Sequence, residues 1–381
     1  MTPQPITPLR VKQMTEPRIT PLRVTPQPFQ QFFLLSVALL LAATAGCGGS
    51  GSTTTSGGSS TSTNPTNTNN VQAISVNTGP AAAPPNNIRA VNSAFTSVTL
   101  CAPGSTSNCQ TINDVLVDTG SAGLRILSSA LTISLPQQTG AGGNPVVECL
   151  QFMDGFTWGP VQTADMTIAG EHAKNLPIQV IGTTAFPNIP SACSSNGPPE
   201  NDLKGLGANG ILGVGTFAQD CGTACTLTGS QNPGLYYTCA SSGCQVTTES
   251  LTEQVQNPVT FFAADNNGVI VELPAVTGAE ATVTGSLIFG IGTQSNNSLG
   301  NATVYTIDPS TGNISTVFNG KTFQDASFLD TGSNAIYFLD STTIGIPACT
   351  DFTFWYCQAP LRIFPQPIKE QTAQAPRSIS R

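Results

Sequence analysis

Two segments carry the chemistry this chain could do. Val115-Leu116-Val117-Asp118-Thr119-Gly120-Ser121 and Ser327-Phe328-Leu329-Asp330-Thr331-Gly332-Ser333 each set an aspartate behind an apolar, strand-like run and ahead of a tight-turn pair. Taken alone, each Asp-Thr-Gly-Ser reads as an Asx-turn that ends a strand. Taken together, behind matching runs, they are a candidate pair of facing carboxyls. At about 3 Å, two carboxylates repel by about 5 kcal/mol at an effective dielectric of about 20. One proton is then retained over a wide pH range, which leaves one base and one acid in the same place. The base can deprotonate water while the acid stabilises an oxyanion.

Other chemistries find little to work with. The single histidine, His172, follows Gly170-Glu171 in a polar turn and is expected to be solvated, so Ser-His-Asp and Cys-His catalysis lack a base. No His-rich metal cluster can form, no Gly-rich loop ends in Lys-Ser or Lys-Thr, and no cofactor is implied. A net charge of −8 leaves no basic groove for nucleic acid.

The elements that must hold the aspartates are strands. Only 9% of residues are charged, and 37 Gly and 29 Pro punctuate short apolar runs, which reads as β-structure and turns. The aromatic run Phe352-Thr353-Phe354-Trp355-Tyr356 is expected to be core strand.

With both motifs in hand, the chain resembles the pepsin-like aspartic proteases, and within them a bacterial lipoprotein family of uncharacterised role. Asn209-Gly210-Ile211-Leu212-Gly213-Val214-Gly215 is similar to the apolar-apolar-Gly strand that crosses behind the first catalytic loop. Phe156-Thr157-Trp158-Gly159 and Ala164–Gly170 are similar to the flap hairpin and its return strand. Asn257–Phe262 and Gly285–Gly290 are similar to the join between lobes and the start of the second.

The resemblance implies an all-β, bilobal fold over residues 86–357, divided at 260, with Asp118 and Asp330 as the water-activating dyad for peptide-bond hydrolysis. It implies that Thr119 and Thr331 bond across the lobes and that Ser121 and Ser333 hydrogen-bond the outer carboxylate oxygens. Gly120 and Gly332 would admit close backbone approach. The substrate class would be peptide or unfolded protein.

Two departures stand out. The flap has no tyrosine, leaving Phe156 and Trp158 as its aromatic candidates. Where the family has a tryptophan, this chain has Leu124-Arg125; Arg125 either is exposed or sits near Asp118 and lowers its pKa. Such departures favour an alternative, a catalytically inactive envelope protein that binds peptides or partners in the same cleft.

The N-terminal part reads as targeting. The apolar run Phe32–Ala45 is too short to span a bilayer comfortably and follows Arg18 and Arg23, the layout of a signal peptide over 1–46. Thr44-Ala45-Gly46-Cys47 resembles a lipobox, which implies lipidation of Cys47 and anchoring in the cell envelope, at the outer membrane of a Gram-negative bacterium. A Gly/Ser/Thr/Asn tether is expected over 47–85.

Cys47 apart, ten cysteines remain, and an exported chain can bridge them. Close spacing suggests Cys101–Cys109 and Cys349–Cys357, with Cys149–Cys193 across a longer loop. Cys221, Cys225, Cys239 and Cys244 are expected to form bridges rather than a four-thiolate zinc site.

Past Cys357 the pattern breaks. Arg362, Lys369, Arg377 and Arg381 crowd among prolines with no strand signal, so 358–381 reads as a tail foreign to the fold, such as a frameshifted end. A second apolar-apolar-Gly strand at the first half's spacing would fall beyond Arg381. The C-terminal lobe, 261–357, is therefore expected to be truncated, and a product too incomplete to function is a third reading.

Overall fold

A computed structural model describes residues 11–13, 70–84, 88–195, 197–350 and 355–356. It is all β, as the run of short apolar segments and turn residues predicts. Its α-helices, Ser191–Ser194, Leu203–Leu206 and Ser341–Ile344, are about one turn each. The strands begin with β1 (Val11–Gln13), β2 (Val71–Val76), β3 (Ala94–Cys101), β4 (Cys109–Asp118) and β5 (Ala122–Leu127). Next come β6 (Val146–Gln151), β7 (Phe156–Ile168), β8 (Glu171–Ile181), β9 (Gly210–Val214), β10 (Tyr236–Ala240) and β11 (Gly243–Val246). The last are β12 (Val269–Glu272), β13 (Val283–Phe289), β14 (Ile314–Phe318), β15 (Lys321–Ser327) and β16 (Ile336–Phe338).

One large sheet runs β11-β10-β6-β7-β8-β5-β9-β4-β3-β2-β13-β12, and β3 also pairs with β7. That extra pairing closes β7, β8, β5, β9, β4 and β3 into a barrel. Inward-facing Leu100, Val115, Val117, Leu124, Ile126, Leu176, Ile178 and Leu212 fill it. Each such side chain stabilises the fold by roughly 1.5–3 kcal/mol through burial.

The barrel aims the first aspartate. β9 is buried along its whole length and lies between the strand entering the Asp118 loop and the strand leaving it. It runs parallel to β4, with Asp118 opposite Gly213, and antiparallel to β5, with Ala122 opposite Val214. A Cβ on Gly213 would lie 2.8 Å from Ser121 Oγ and from Ala122 C, so only glycine lets the strand pass this close behind the loop.

Disulfides staple the long hairpins. Cys101–Cys109 joins β3 to β4, Cys239–Cys244 joins β10 to β11, and Cys149–Cys193 ties β6 to the helix at Ser191–Ser194. Cys221–Cys225 closes a tight loop, so the four central cysteines form two bridges. Cys349 is disulfide-bonded, and Cys357 lies outside the described residues. Also outside them lie Cys47, the apolar run Phe32–Ala45, Phe352–Phe354 and the 358–381 tail. Tyr356, from the same aromatic run, is buried and bridges to Ala348.

One expected boundary moves. The tether does not reach 85, because Val71–Val76 is a strand with Ile74 buried, paired to β3 and to β13. Most of its length pairs with β13, more than a hundred residues away, which a local pattern does not reveal. Past 260, β12 and β13 extend the large sheet through β2.

Among the described residues, the C-terminal part holds few paired strands. β14 and β15 form a two-stranded ribbon, and β16 pairs only with β1 among the described residues. No described strand backs the Asp330 loop as β9 backs the Asp118 loop. Leu329 is accordingly 79% exposed, whereas its counterpart Val117 is fully buried.

Candidate active site

The two Asp-Thr-Gly-Ser loops meet face to face, held by a reciprocal set of hydrogen bonds. Thr119 N–H donates to Thr331 Oγ1 at 3.2 Å, and Thr331 N–H donates to Thr119 Oγ1 at 3.0 Å. Each hydroxyl then donates onward across the junction, Thr119 Oγ1 to Leu329 O at 3.0 Å and Thr331 Oγ1 to Val117 O at 2.7 Å. Each threonine thus donates through both its N–H and its hydroxyl across the junction, which locks the loops in pairwise register.

Each carboxyl has the same two donors. Gly120 N–H reaches Asp118 Oδ1 at 2.8 Å and Gly332 N–H reaches Asp330 Oδ1 at 2.7 Å. Ser121 Oγ donates to Asp118 Oδ2, and Ser333 Oγ to Asp330 Oδ2 at 2.6 Å. The glycines are required by crowding. A Cβ on Gly120 would stand 2.7 Å from Asp330 Cγ, and one on Gly332 would stand 2.6 Å from Asp118 Oδ1.

This packing sets the ionisation. Burial, then the neighbouring Asp330 carboxylate, pushes Asp118 up to about 7, against the hydrogen bonds from Ser121 and Gly120, which favour its charged form. Ser121→Ala should therefore move the higher of the pair's two titrations up by about one pH unit, since a hydrogen bond to a charged group is worth roughly 1.5–3 kcal/mol. Carboxyl carbon NMR through the titration reads this directly. An unmoved or lowered titration would reject the assigned bond.

Two further carboxyls share this behaviour. Burial raises Glu200 and Glu249 to about 7, aided at Glu200 by Asp154 and at Glu249 by Glu253. For a carboxyl raised in the folded state, the native protein holds a proton that the unfolded chain releases. Stability from these three groups is then greatest below about pH 4 and is lost as pH rises toward about 7. Thermal midpoints should be higher at about pH 5 than at about pH 8, and Asp118→Asn should reduce the difference. Equal midpoints in wild type would contradict the linkage.

Around the dyad opens a cleft of about 610 Å³, lined by both aspartates and both serines. The β6–β7 hairpin borders it, but not through the residues expected. Phe156 and Trp158 are both buried and do not line the cleft. Trp158 Nε1–H donates to Phe186 O at 2.9 Å, and its ring stands edge-on to Tyr237 beside the Cys149–Cys193 bridge. The hairpin tip instead brings Phe152, Met153 and Asp154 to the cleft, with Met153 70% exposed. Phe152 N–H closes the turn on Gly155 O at 2.8 Å. The Asp154-Gly155 dipeptide between two strand-like runs was the available sign of this turn.

Arg125 also departs from both readings of it. It is neither exposed nor bonded to Asp118. It is fully buried, with Nη2 donating to Glu148 Oε1 at 2.7 Å and Asp220 Oδ2 at 2.9 Å, and Nη1 to Ala122 O at 2.8 Å. Tyr236 Oη donates to Asp220 Oδ1 at 2.7 Å and accepts from Val255 N–H. Burial and the adjacent Glu148 push the Asp220 carboxyl well up, so this cluster approaches neutrality. His172 is exposed and contacts Thr167 Oγ1 through Nδ1.

Cleft residues with no sequence signal include Arg89, Glu200 and Tyr337. Among the described residues, no group of His, Cys, Asp and Glu side chains is arranged to hold a metal.

No curated protein matches the chain. Among solved structures, the aspartic proteinase from Irpex lacteus is similar at a TM-score of 0.37 and 16% identity, over 64% of this chain and 54% of that one. The chain thus spans about half the length of that proteinase. A family model matches residues 66–377, strands β2 to β16 and both aspartate loops included, and the chain belongs to that family, described as a protein of unknown function (DUF3443).

Proposed function

We propose that this protein hydrolyses peptide bonds with Asp118 and Asp330 as a water-activating pair, and that it does so anchored to the cell envelope through a lipidated Cys47. One observation carries the reading: the reciprocal threonine bonds bring two carboxyls, each held by the same serine and glycine donors, into one open cleft. With one proton between them, the ionised carboxyl takes a proton from water as its oxygen attacks the amide carbon. The protonated carboxyl gives its proton to the carbonyl oxygen, and a diol forms. On collapse the newly protonated carboxyl gives its proton to the leaving nitrogen, a diol hydroxyl returns a proton to the other carboxylate, the C–N bond breaks, and the pair is again singly protonated. Metal or cofactor has no part in these steps.

The test is incubation of purified protein with an unfolded polypeptide between about pH 4 and pH 7, with and without pepstatin. New N-termini that the inhibitor suppresses support the reading, and their absence across the range opposes it. Mass spectrometry of the mature N-terminus tests the anchor: a diacylated Cys47 supports it, and an unmodified one opposes it.

A second reading, capture of peptides without turnover, is favoured by the 79% exposure of Leu329 beside an Asp330 loop that no strand among the described residues backs. A loop shifted by about 1 Å can lose on the order of 100-fold in rate while still binding. Saturable peptide binding unchanged by Asp330→Asn, with no cleavage, would select it.

A further inference from the structure

The cleft holds a single basic side chain among the described residues. Among the described lining residues only Arg89 is cationic, against Asp118, Asp154, Glu200, Asp220 and Asp330. It stands on the helical turn Ile88–Ala90, just ahead of β3, and its Nη1 donates to Asp154 Oδ2 at 2.5 Å and to Glu200 Oε1 at 3.0 Å.

These two partners are not alike. The Glu200 side chain is 7% exposed, and its backbone is tied to the base of the hairpin, Glu200 N–H donating to Phe156 O at 2.8 Å. A Cβ on Gly155 would lie 2.7 Å from Glu200 Cγ, so the two segments are in direct contact. Asp154 stands at the hairpin tip, and its side chain is 43% exposed. Leaving Arg89 would return its carboxylate to water at little cost, because exposed ion pairs are weak. Arg89 therefore has one fixed partner and one exchangeable partner, and the exchangeable one sits on the hairpin tip. Tyr337 lines the same wall and feels both Asp154 and Asp330, which connects this end of the cleft to the dyad.

We propose that Arg89 is the carboxylate-recognition residue of the cleft, binding an acidic side chain of the peptide in place of Asp154. The assignment rests on the reading of the cleft as a peptide groove. The exchange keeps the charge at Arg89 constant, one carboxylate leaving as another arrives. A neutral side chain would leave Arg89 short of a partner once Asp154 leaves, and a basic one would be repelled by it. Release of Asp154 also frees the hairpin tip, while Phe156 N–H to Pro198 O at 3.2 Å and the Glu200–Phe156 bond keep its base in place.

The test uses the Asp330→Asn protein, in which binding is read without turnover, and labelled octapeptides that differ at one scanned position by Glu, Gln or Lys. Fluorescence anisotropy should show the Glu peptide bound about tenfold tighter than the Gln peptide at one position, as a hydrogen bond to a charged group allows. Adding Arg89→Met should erase that preference, and Arg89→Lys should keep part of it, which guards against a folding defect. Adding Asp154→Asn should tighten the Glu peptide about threefold and leave the Gln peptide unchanged, since only the competitor is removed. Equal affinities for Glu and Gln, tightest binding by Lys, or a Glu preference that survives Arg89→Met would each overturn the assignment alone. Failure of every peptide to bind would overturn the groove reading and the assignment with it.

Discussion

Asp118→Asn and Asp330→Asn should each lower peptide-bond hydrolysis by about 10³-fold or more while leaving the protein folded. The loss follows from proton bookkeeping. An amide neither accepts the proton of the attacking water nor delivers one to the carbonyl oxygen, and general acid–base catalysis by one positioned group contributes typically about 10²–10⁴-fold. The fold should survive because the shape is conserved. Gly120 N–H and Gly332 N–H keep an oxygen acceptor at Oδ1, and the threonine bonds between the loops do not involve the carboxyls.

Asp118→Asn should go further and stabilise the protein above about pH 7, where the wild-type carboxylate is buried, ionised and next to Asp330. Loss of activity with a gain in thermal midpoint is the signature of a residue whose charge serves catalysis at the expense of stability. The check is a kcat/KM measurement beside a melting curve at about pH 8. Residual activity within tenfold of wild type would remove Asp118 from the mechanism, and a lowered midpoint would mean that its carboxylate is not strained by its surroundings.

What the sequence made legible is what is local. The Asp-Thr-Gly-Ser turns, the Ile211-Leu212-Gly213 strand and the bridge Cys101–Cys109 each lie within a few residues, and their chemistry is set by neighbours along the chain. Whatever depends on a distant partner stayed hidden. Trp158 reads as a flap aromatic until Phe186 O accepts its indole N–H and Tyr237 covers its ring. Arg89 and its two carboxylates are 65 and 111 positions apart in sequence, so no motif could join them. The strand Val71–Val76 reads as tether because its six residues border a polar tract, and only pairing with β3 and β13 makes it part of the sheet. Arg125 shows the same limit most clearly. From sequence it is a charged residue near a catalytic loop, and nothing around it indicates that Glu148 and Asp220, 23 and 95 positions away, take it into the core.

That burial makes Arg125 the residue whose loss should cost most in stability. Arg125→Met fills a similar volume but leaves Glu148 and Asp220 without their cation, and breaking one partner out of a buried ion pair typically costs about 3–5 kcal/mol. Against a native margin of about 5–15 kcal/mol, much of the protein's stability would be lost. Urea unfolding should show the midpoint fall, and the triple variant Arg125→Met, Glu148→Gln, Asp220→Asn should recover part of the loss, because the carboxylates no longer need a counter-charge. A single-variant cost below about 1 kcal/mol, the range of exposed pairs, would mean that the guanidinium reaches water. The same side chain also holds the first loop in place: its Nη1 donates to Ala122 O, one residue past the serine that bonds Asp118. The folded fraction of Arg125→Met should therefore lose activity as well, on the order of 100-fold if the Asp118 loop relaxes by about 1 Å. In the triple variant the stability should return further than the activity, since restoring charge balance does nothing to replace the donor that held the loop.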